Sequence, residues 1–230
     1  MNETLYQALT FIFPLVFAIV FHEVAHGWAA KALGDPTAAM MGRLSLNPFR
    51  HVDPVGTIVV PGLLALASGP IFGWAKPVPV VAQRMRNPRL GMMLSAAAGP
   101  AANFVMAIFA AIGIGLMTRA FGEATSSPGE PWLFIWANLN NFLVINIFLA
   151  LFNLLPIPPF DGSHIVEGLL PEPLARHYAG LRRYGFMLVL IVLVMIPWLI
   201  PSFNPVASLI GPPFEWVIAR YLTLAAVFAG

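Results

Sequence analysis

Apolar residues run along this chain in stretches too long for an ordinary soluble core, with the polar residues gathered between them. Five stretches, at about 6–33, 90–118, 134–156, 182–201 and 206–228, reach the length of about 20 residues that a helix needs to cross a bilayer. A sixth, VGTIVVPGLLALASGPIF at 55–72, is shorter and is broken by Pro61, Gly62, Gly69 and Pro70, which predicts a segment that enters the membrane and turns back. Two short pieces read as strands. In GRLSLNP, residues 42–48, Arg43, Ser45 and Asn47 alternate with Leu44 and Leu46, a period of two. In GWAKPVPV, residues 73–80, Pro77 and Pro79 forbid helix and restrict the piece to a sheet edge. The pattern predicts an all-α integral membrane protein of about five to six transmembrane helices, with a re-entrant segment and short membrane-associated β-strands.

Composition agrees. Only 10% of the 230 residues are charged, against about 25% in soluble domains. Cysteine is absent, so neither a disulfide framework nor a thiolate metal site is available. The net charge of +2 comes from scattered basic residues without a stripe, and nucleic acid is excluded as a partner. MNETLYQ carries an acid and no base, so the first apolar run reads as a retained span, not a cleaved leader. Lys31, Arg43, Arg50, Lys76, Arg84, Arg86 and Arg89 lie between the first span and the one starting near 90, and Arg176, Arg182 and Arg183 lie between the third and fourth full spans. With 55–72 re-entrant, all of these fall on one side, which the positive-inside rule makes cytoplasmic.

The first long stretch contains VFAIVFHEVAHGWAAKAL, and ionisable groups in such a segment demand a reason. His22 and His26 are one helical turn apart on one face, where two imidazoles reach a single ion. Glu23 lies beside them on the same helix, placed to hold water and act as general base without itself being a ligand. Nitrogen and oxygen ligands without thiolate suit catalytic zinc, which takes three protein ligands and keeps a fourth position open. A third ligand is therefore expected elsewhere. Asp161 follows a proline-broken span end, LFNLLPIPPF, where a carboxylate can face a polar cavity; Glu167 and His164 are the alternatives, and PPFDG also reads as turn chemistry. His51, His164 and His177 are expected as loop residues at membrane surfaces.

FHEVAHGWAA together with NLLPIPPFDG resembles the site-2 protease family of intramembrane zinc metalloproteases, and AAAGPAANF and MGRLSLNPFRHVDPVGT are similar to further ordered segments of that family. The resemblance covers about residues 15–165 and implies His22, His26 and Asp161 as ligands of one zinc ion per chain, with Glu23 as catalytic base. It also implies that Asn153 and Asn103 lie near the substrate or the developing oxyanion. No regulatory domain of the PDZ type is seen in the sequence, so the expectation is a compact member: one protease domain over 1–230, a catalytic core at about 6–165 and a C-terminal helical pair at about 182–228.

The activity so implied is hydrolysis of peptide bonds in or near transmembrane segments of membrane proteins, in regulated intramembrane proteolysis. The implied partners are a transmembrane protein or peptide and membrane lipid, in the cell membrane of a prokaryote with the site toward the cytoplasm. Arg43, Leu44, Ser45, Leu46 and Asn47 are expected to pair with an unwound substrate by strand addition. A different class, an ion or proton transporter or channel, also places histidines and acids inside a membrane.

Overall fold

The computed structural model describes residues 3–59, 75–122, 131–200 and 202–230. Four long helices dominate: α1 (Glu3–Ala32), α3 (Pro88–Phe121), α4 (Pro131–Asn153) and α9 (Pro205–Ala229). Short helices fill the connections, namely α2 (Thr37–Met40), α5 (Asp161–Leu169), α6 (Glu172–Ala179), α7 (Gly185–Leu190) and α8 (Ile196–Leu199). Local chemistry sets the boundaries. α3 and α9 both begin with Asn-Pro: Asn87 accepts from Leu90 N–H, Asn204 accepts from Ala207 N–H, and a proline occupies the first helical position. α1 carries Glu3 in its first turn and Lys31 in its last, as the helix dipole favours. α4 ends where Pro156, Pro158 and Pro159 forbid another turn.

Cross-contacts give the helix directions. The Tyr6 hydroxyl donates to Leu133 O and the Asn141 amide donates to Thr10 O, so α1 and α4 run the same way. α3 runs against α1, because Ser95 near its start meets His26 and Asn103 farther along meets Ala18. α9 follows α3: Tyr221 bonds Phe104 O, and Gly115 lies against Ala225. Ala107, Ala110 and Ala111 of α3 pack with Leu143, Ile147 and Ala225, the small side chains allowing the close approach on which packing in lipid depends. The basic residues Lys31, Arg43, Arg84, Arg89, Arg176 and Arg182 all lie at the end where α1 and α4 finish and α3 and α9 begin.

Three helices are long and apolar enough to cross a membrane, at Leu5–Ala32, Pro88–Phe121 and Trp132–Asn153, and they answer to the first three predicted spans. The expected helical pair differs. Residues 182–201 are not a uniform α-helix: a 3-10 turn (Gly180–Tyr184), α7, a π-helical turn (Ile191–Met195) and α8 follow one another, with helical backbone at the joins from α7 to α8. Leu188, Val189 and Val192 of this stretch and Pro205, Val206 and Leu209 of α9 pack against the same loop, at Leu155, Ile157 and Phe160, so the stretch returns to the end it left. α9 has the length, but Glu215, Arg220 and the pair Pro212–Pro213 interrupt its apolar character.

The predicted strands are likewise not found. Among the described residues there is no β-ladder; 43–47 and 75–80 have no regular secondary structure, Gly42 is in a turn and Pro48 begins a 3-10 turn. The alternation does not follow burial either, since Arg43 is buried and Leu46 half exposed; the polar members of 42–48 are spent locally, as the site shows. Residues 60–72 of the predicted re-entrant segment, and 73–74 of GWAKPVPV, lie outside the described residues. Pro54–Val59, at its start, is a π-helical turn.

Candidate metal centre

α1 presents His22 and His26 toward the start of α5, where Asp161 is the first helical residue. The two Nε2 atoms are 3.0 Å apart, and Asp161 Oδ2 lies 3.1 Å from one and 3.3 Å from the other. The far side of each ring decides its protonation. His22 Nδ1 is 2.6 Å from Asn103 Oδ1, and His26 Nδ1 is 2.7 Å from the backbone oxygen of Ser95. Both partners are acceptors: Asn103 Nδ2 already donates to Ala18 O and to Asn146 Oδ1, which fixes its amide orientation. Each Nδ1 therefore carries the hydrogen, and each neutral Nε2 is a bare lone pair.

Two nitrogen lone pairs and a carboxylate oxygen thus converge, and Asp161 Oδ2 is buried without a hydrogen-bond donor. Such a cluster is repulsive unless a cation occupies its centre. A tetrahedral ion with bonds of about 2.0–2.1 Å separates its ligand atoms by about 3.3–3.4 Å. The observed triangle is close to that and fits a small tetrahedral cation.

The support behind the ligands is a chain of amides. Phe142 O accepts from Asn146 Nδ2, Asn146 Oδ1 from Asn103 Nδ2, and Asn103 Oδ1 from His22, so α4 orients α3 and α3 orients the ligand on α1. Asn103 and Asn146 are both fully buried. Gly99 completes the wall. A Cβ there would lie 2.5 Å from His26 Nε2 and 2.6 Å from His22 Cε1, so α3 presents bare backbone to the rings. Gly162 does the same for Asp161: a Cβ would lie 2.5 Å from Leu155 O, so only glycine lets α5 start against the end of α4.

Glu23 is half-buried, and its Oε2 accepts from Val78 N–H at 2.8 Å, which ties the 75–80 segment to α1 beside the ligands. Leu44 and Val78 both face Gly27, one residue past His26. The other residues of 43–47 have local tasks. Arg43 is buried and donates to Lys76 O at 2.7 Å and to Arg50 O; Ser45 O accepts from His51 at 2.8 Å; Asn47 caps the turn at Pro48–Arg50. Leu46 is half exposed, and among the described residues neither Leu44 nor Leu46 makes a backbone–backbone hydrogen bond.

Several expected placements differ. Asn103 faces His22, with both amide hydrogens already donated, so none is left for a substrate oxygen. Asn153 folds back on its own helix, donating to Leu149 O at 2.9 Å. His51 is buried, not at a surface, because it anchors Ser45. His164 and Glu167, the alternative third ligands, turn instead to Arg182, at a polar cavity of about 330 Å³ also lined by Arg89, Glu172 and Arg176. Burial, with the Arg182 guanidinium behind it, pushes the His164 imidazole below its ordinary value. Sequence reasoning missed Ser95, Gly99 and Asn146. Asn146 left a signal, an amide in the middle of an apolar helix, and Gly99 lies within the quoted AAAGPAANF segment.

Residues 132–196 match the model of peptidase family M50. The chain is 37% identical over 202 residues to "Putative zinc metalloprotease YwhC" of Bacillus subtilis (strain 168), covering 84% of this chain and 86% of the relative. It is 28% identical over 188 residues to "Putative zinc metalloprotease Rip2" of Mycolicibacterium smegmatis, covering 80% and 68%. A shorter match, 43% over 61 residues, joins it to "Putative zinc metalloprotease MJ0611" of Methanocaldococcus jannaschii, covering 26% of this chain and 29% of the relative. No solved structure matches. With three side chains that could hold a metal ion meeting inside a helical membrane protein, and a relative of that identity and coverage, the chain belongs to peptidase family M50, the site-2 protease family of metallopeptidases.

Proposed function

We propose that this protein is an intramembrane zinc endopeptidase, holding one zinc ion per chain on His22, His26 and Asp161, and cleaving transmembrane segments of other membrane proteins in regulated proteolysis. The observation that carries the reading is the convergence of three unprotonated donor atoms, 3.0–3.3 Å apart, with both imidazoles locked in the ligating tautomer from behind. The names of the relatives support zinc as the ion. Bound zinc supplies a Lewis acid that polarises a carbonyl and makes water acidic near neutral pH.

The residues of the chain divide the remaining work. Glu23 is held through Oε2 by Val78 N–H, which leaves Oε1 to take the proton from the attacking water and hand it to the departing amine nitrogen. Asn103 and Ser95 keep the ligand tautomers and act as positioning residues. Asn153, with one N–H on Leu149 O, keeps its second N–H for the substrate or its oxyanion. Leu44 and Leu46, unpaired along the backbone, with Leu44 against Gly27 next to His26, receive an unwound substrate as an added strand. A helical substrate needs such a partner, because its own carbonyls are tied up until it unwinds.

The site opens toward the cytoplasm of a prokaryotic cell in this reading. His26 stands six residues from the end of α1, about 9 Å by helical rise, on the side where the basic residues gather. The test is cleavage of a single-span substrate by the purified protein, with and without chelator, beside Glu23→Gln. Cleavage that persists in the chelated enzyme, or at full rate in Glu23→Gln, would overturn the proposal.

A further inference from the structure

α9 packs one face against the bundle and leaves the other uncovered. Phe214, Val217, Ile218, Tyr221, Leu224 and Ala225 pack against α3 and α4. At about 100° per residue, the opposite face holds Trp216, Ala219, Thr223 and Ala226, all exposed, with Trp216 at 63%. Glu215 lies on one edge of that face and Arg220 on the other, and both are exposed. Among the described residues neither has an ion-pair partner, Arg220 resting only over the Trp216 ring.

These charges sit deep. Tyr221, next to Arg220, bonds the carbonyl of Phe104, the neighbour of Asn103 in the buried amide chain. Glu215 is ten residues into α9, about 15 Å from its start, half of a hydrocarbon layer of about 30 Å. Bare charges at that depth in lipid are costly, and natural spans pair them.

We infer that the outer face of α9 is a homodimer interface, with Glu215 of each copy paired to Arg220 of the other. The spacing selects this occupant. Two copies inserted in the same sense bring their α9 helices together parallel, and across a parallel two-fold pair residue i on one edge faces residue i+5 on the partner's opposite edge. Glu215 and Arg220 have that separation and occupy those edges. Between them Ala219, Thr223 and Ala226 are small enough for close backbone approach, and the Thr223 hydroxyl is turned back onto Ala219 O. One pair of residues used twice neutralises all the buried charge.

The absence of cysteine makes the test clean. In vesicles containing the full chain, Thr223→Cys should cross-link to its own copy on mild oxidation, since a disulfide needs Cβ atoms within about 4.5 Å. Phe109→Cys, exposed on α3, should not. Adding Glu215→Arg to Thr223→Cys should cut the cross-linked yield at least about tenfold, and adding Arg220→Glu as well should restore it. Metal content at the wild-type level checks that each variant is folded. Three results would overturn the inference: Thr223→Cys cross-linking no faster than Phe109→Cys, indifference to Glu215→Arg, or coupling of Thr223→Cys to a cysteine-bearing single-span substrate in place of its own copy. The last would make the face a substrate dock.

Discussion

Gly99→Ala adds one methyl group to the wall of the metal centre, and the structure fixes its effect. The new Cβ would stand 2.5 Å from His26 Nε2 and 2.6 Å from His22 Cε1, where ordinary contact begins at 3.4 Å. The His26 ring would have to retreat by about 0.9 Å, while metal–ligand distances tolerate only about 0.2 Å. Neither ring is free to move, since Asn103 and Ser95 hold them from behind. Overpacking of this kind costs about 1–3 kcal/mol, and disturbed ligand orientation costs about 10–100-fold in metal affinity. Gly113→Ala, in the same helix, is the control. It gains the same helix propensity, about 1 kcal/mol, but its Cβ meets only the movable end of Leu139, at 3.2 Å. The assay is zinc retained per chain against a graded chelator, with helix content followed by circular dichroism. Gly113→Ala should match wild type, and Gly99→Ala should lose zinc at about 10–100-fold lower chelator strength with its helices intact. Equal retention by the two variants would refute the close-packed wall.

Asp161→Ala removes the oxygen ligand and should abolish stoichiometric zinc, whereas Glu23→Gln should keep the zinc and lower turnover by about 10²–10⁴-fold; metal analysis with a cleavage gel separates the two. Asn146→Leu leaves a buried Asn103 N–H without its acceptor, so metal affinity should fall about tenfold and the protein lose about 1–3 kcal/mol, read from a chelator titration and a melt. The double variant Asn146→Leu/Asn103→Leu should be little worse than Asn103→Leu alone, because both break one chain. Buried Asp35 bridges the 33–37 and 81–84 loops: burial alone would raise its carboxyl, but hydrogen bonds from Thr37 and Val81 hold it below the usual range. Its contribution is therefore present above the unfolded carboxylate value of about 3.9 and is lost as pH falls through the lower folded value. Asp35→Ala should lower stability at pH 7 by about 1.5–3 kcal/mol, with a gap to wild type that closes in acid melts.

How much of this was legible in the sequence depended on the range over which each signal acts. Spans α1, α3 and α4 followed from apolar length alone, a property of consecutive residues. His22, Glu23 and His26 followed from helical spacing; the failure of helix at the prolines offered Asp161 with Glu167 and His164 as alternatives, and the family resemblance chose among them. The amide chain was not legible, because Asn103 and Asn146 are 43 residues apart and only helix packing brings them together. Asn103 was singled out for the substrate or its oxyanion, but its place is fixed by the neighbour its oxygen meets, which is His22. The strand expectation for 42–48 failed because the alternation of residue types there is not an alternation of environments: Leu46 is half exposed, while Arg43 is buried with its guanidinium on the carbonyls of Lys76 and Arg50.

An amide at 103, and not the carboxylate often found behind a metal-bound histidine, follows from counting charge in a site shielded from water. A divalent cation, the Asp161 carboxylate and the Glu23 carboxylate sum to zero. A further acid on the His22 ring would leave the buried site with net negative charge, in surroundings where an unpaired charge is most expensive. Asparagine offers the same acceptor to His22 without that cost, and its two hydrogens then need acceptors of their own. Ala18 O and Asn146 Oδ1 supply them, and Asn146 in turn needs Phe142 O. Each link creates the need for the next until the chain ends on helix backbone. One ligand's tautomer is thereby built into the packing of three helices, so that a change in this packing at Asn103 or Asn146 reaches the metal centre.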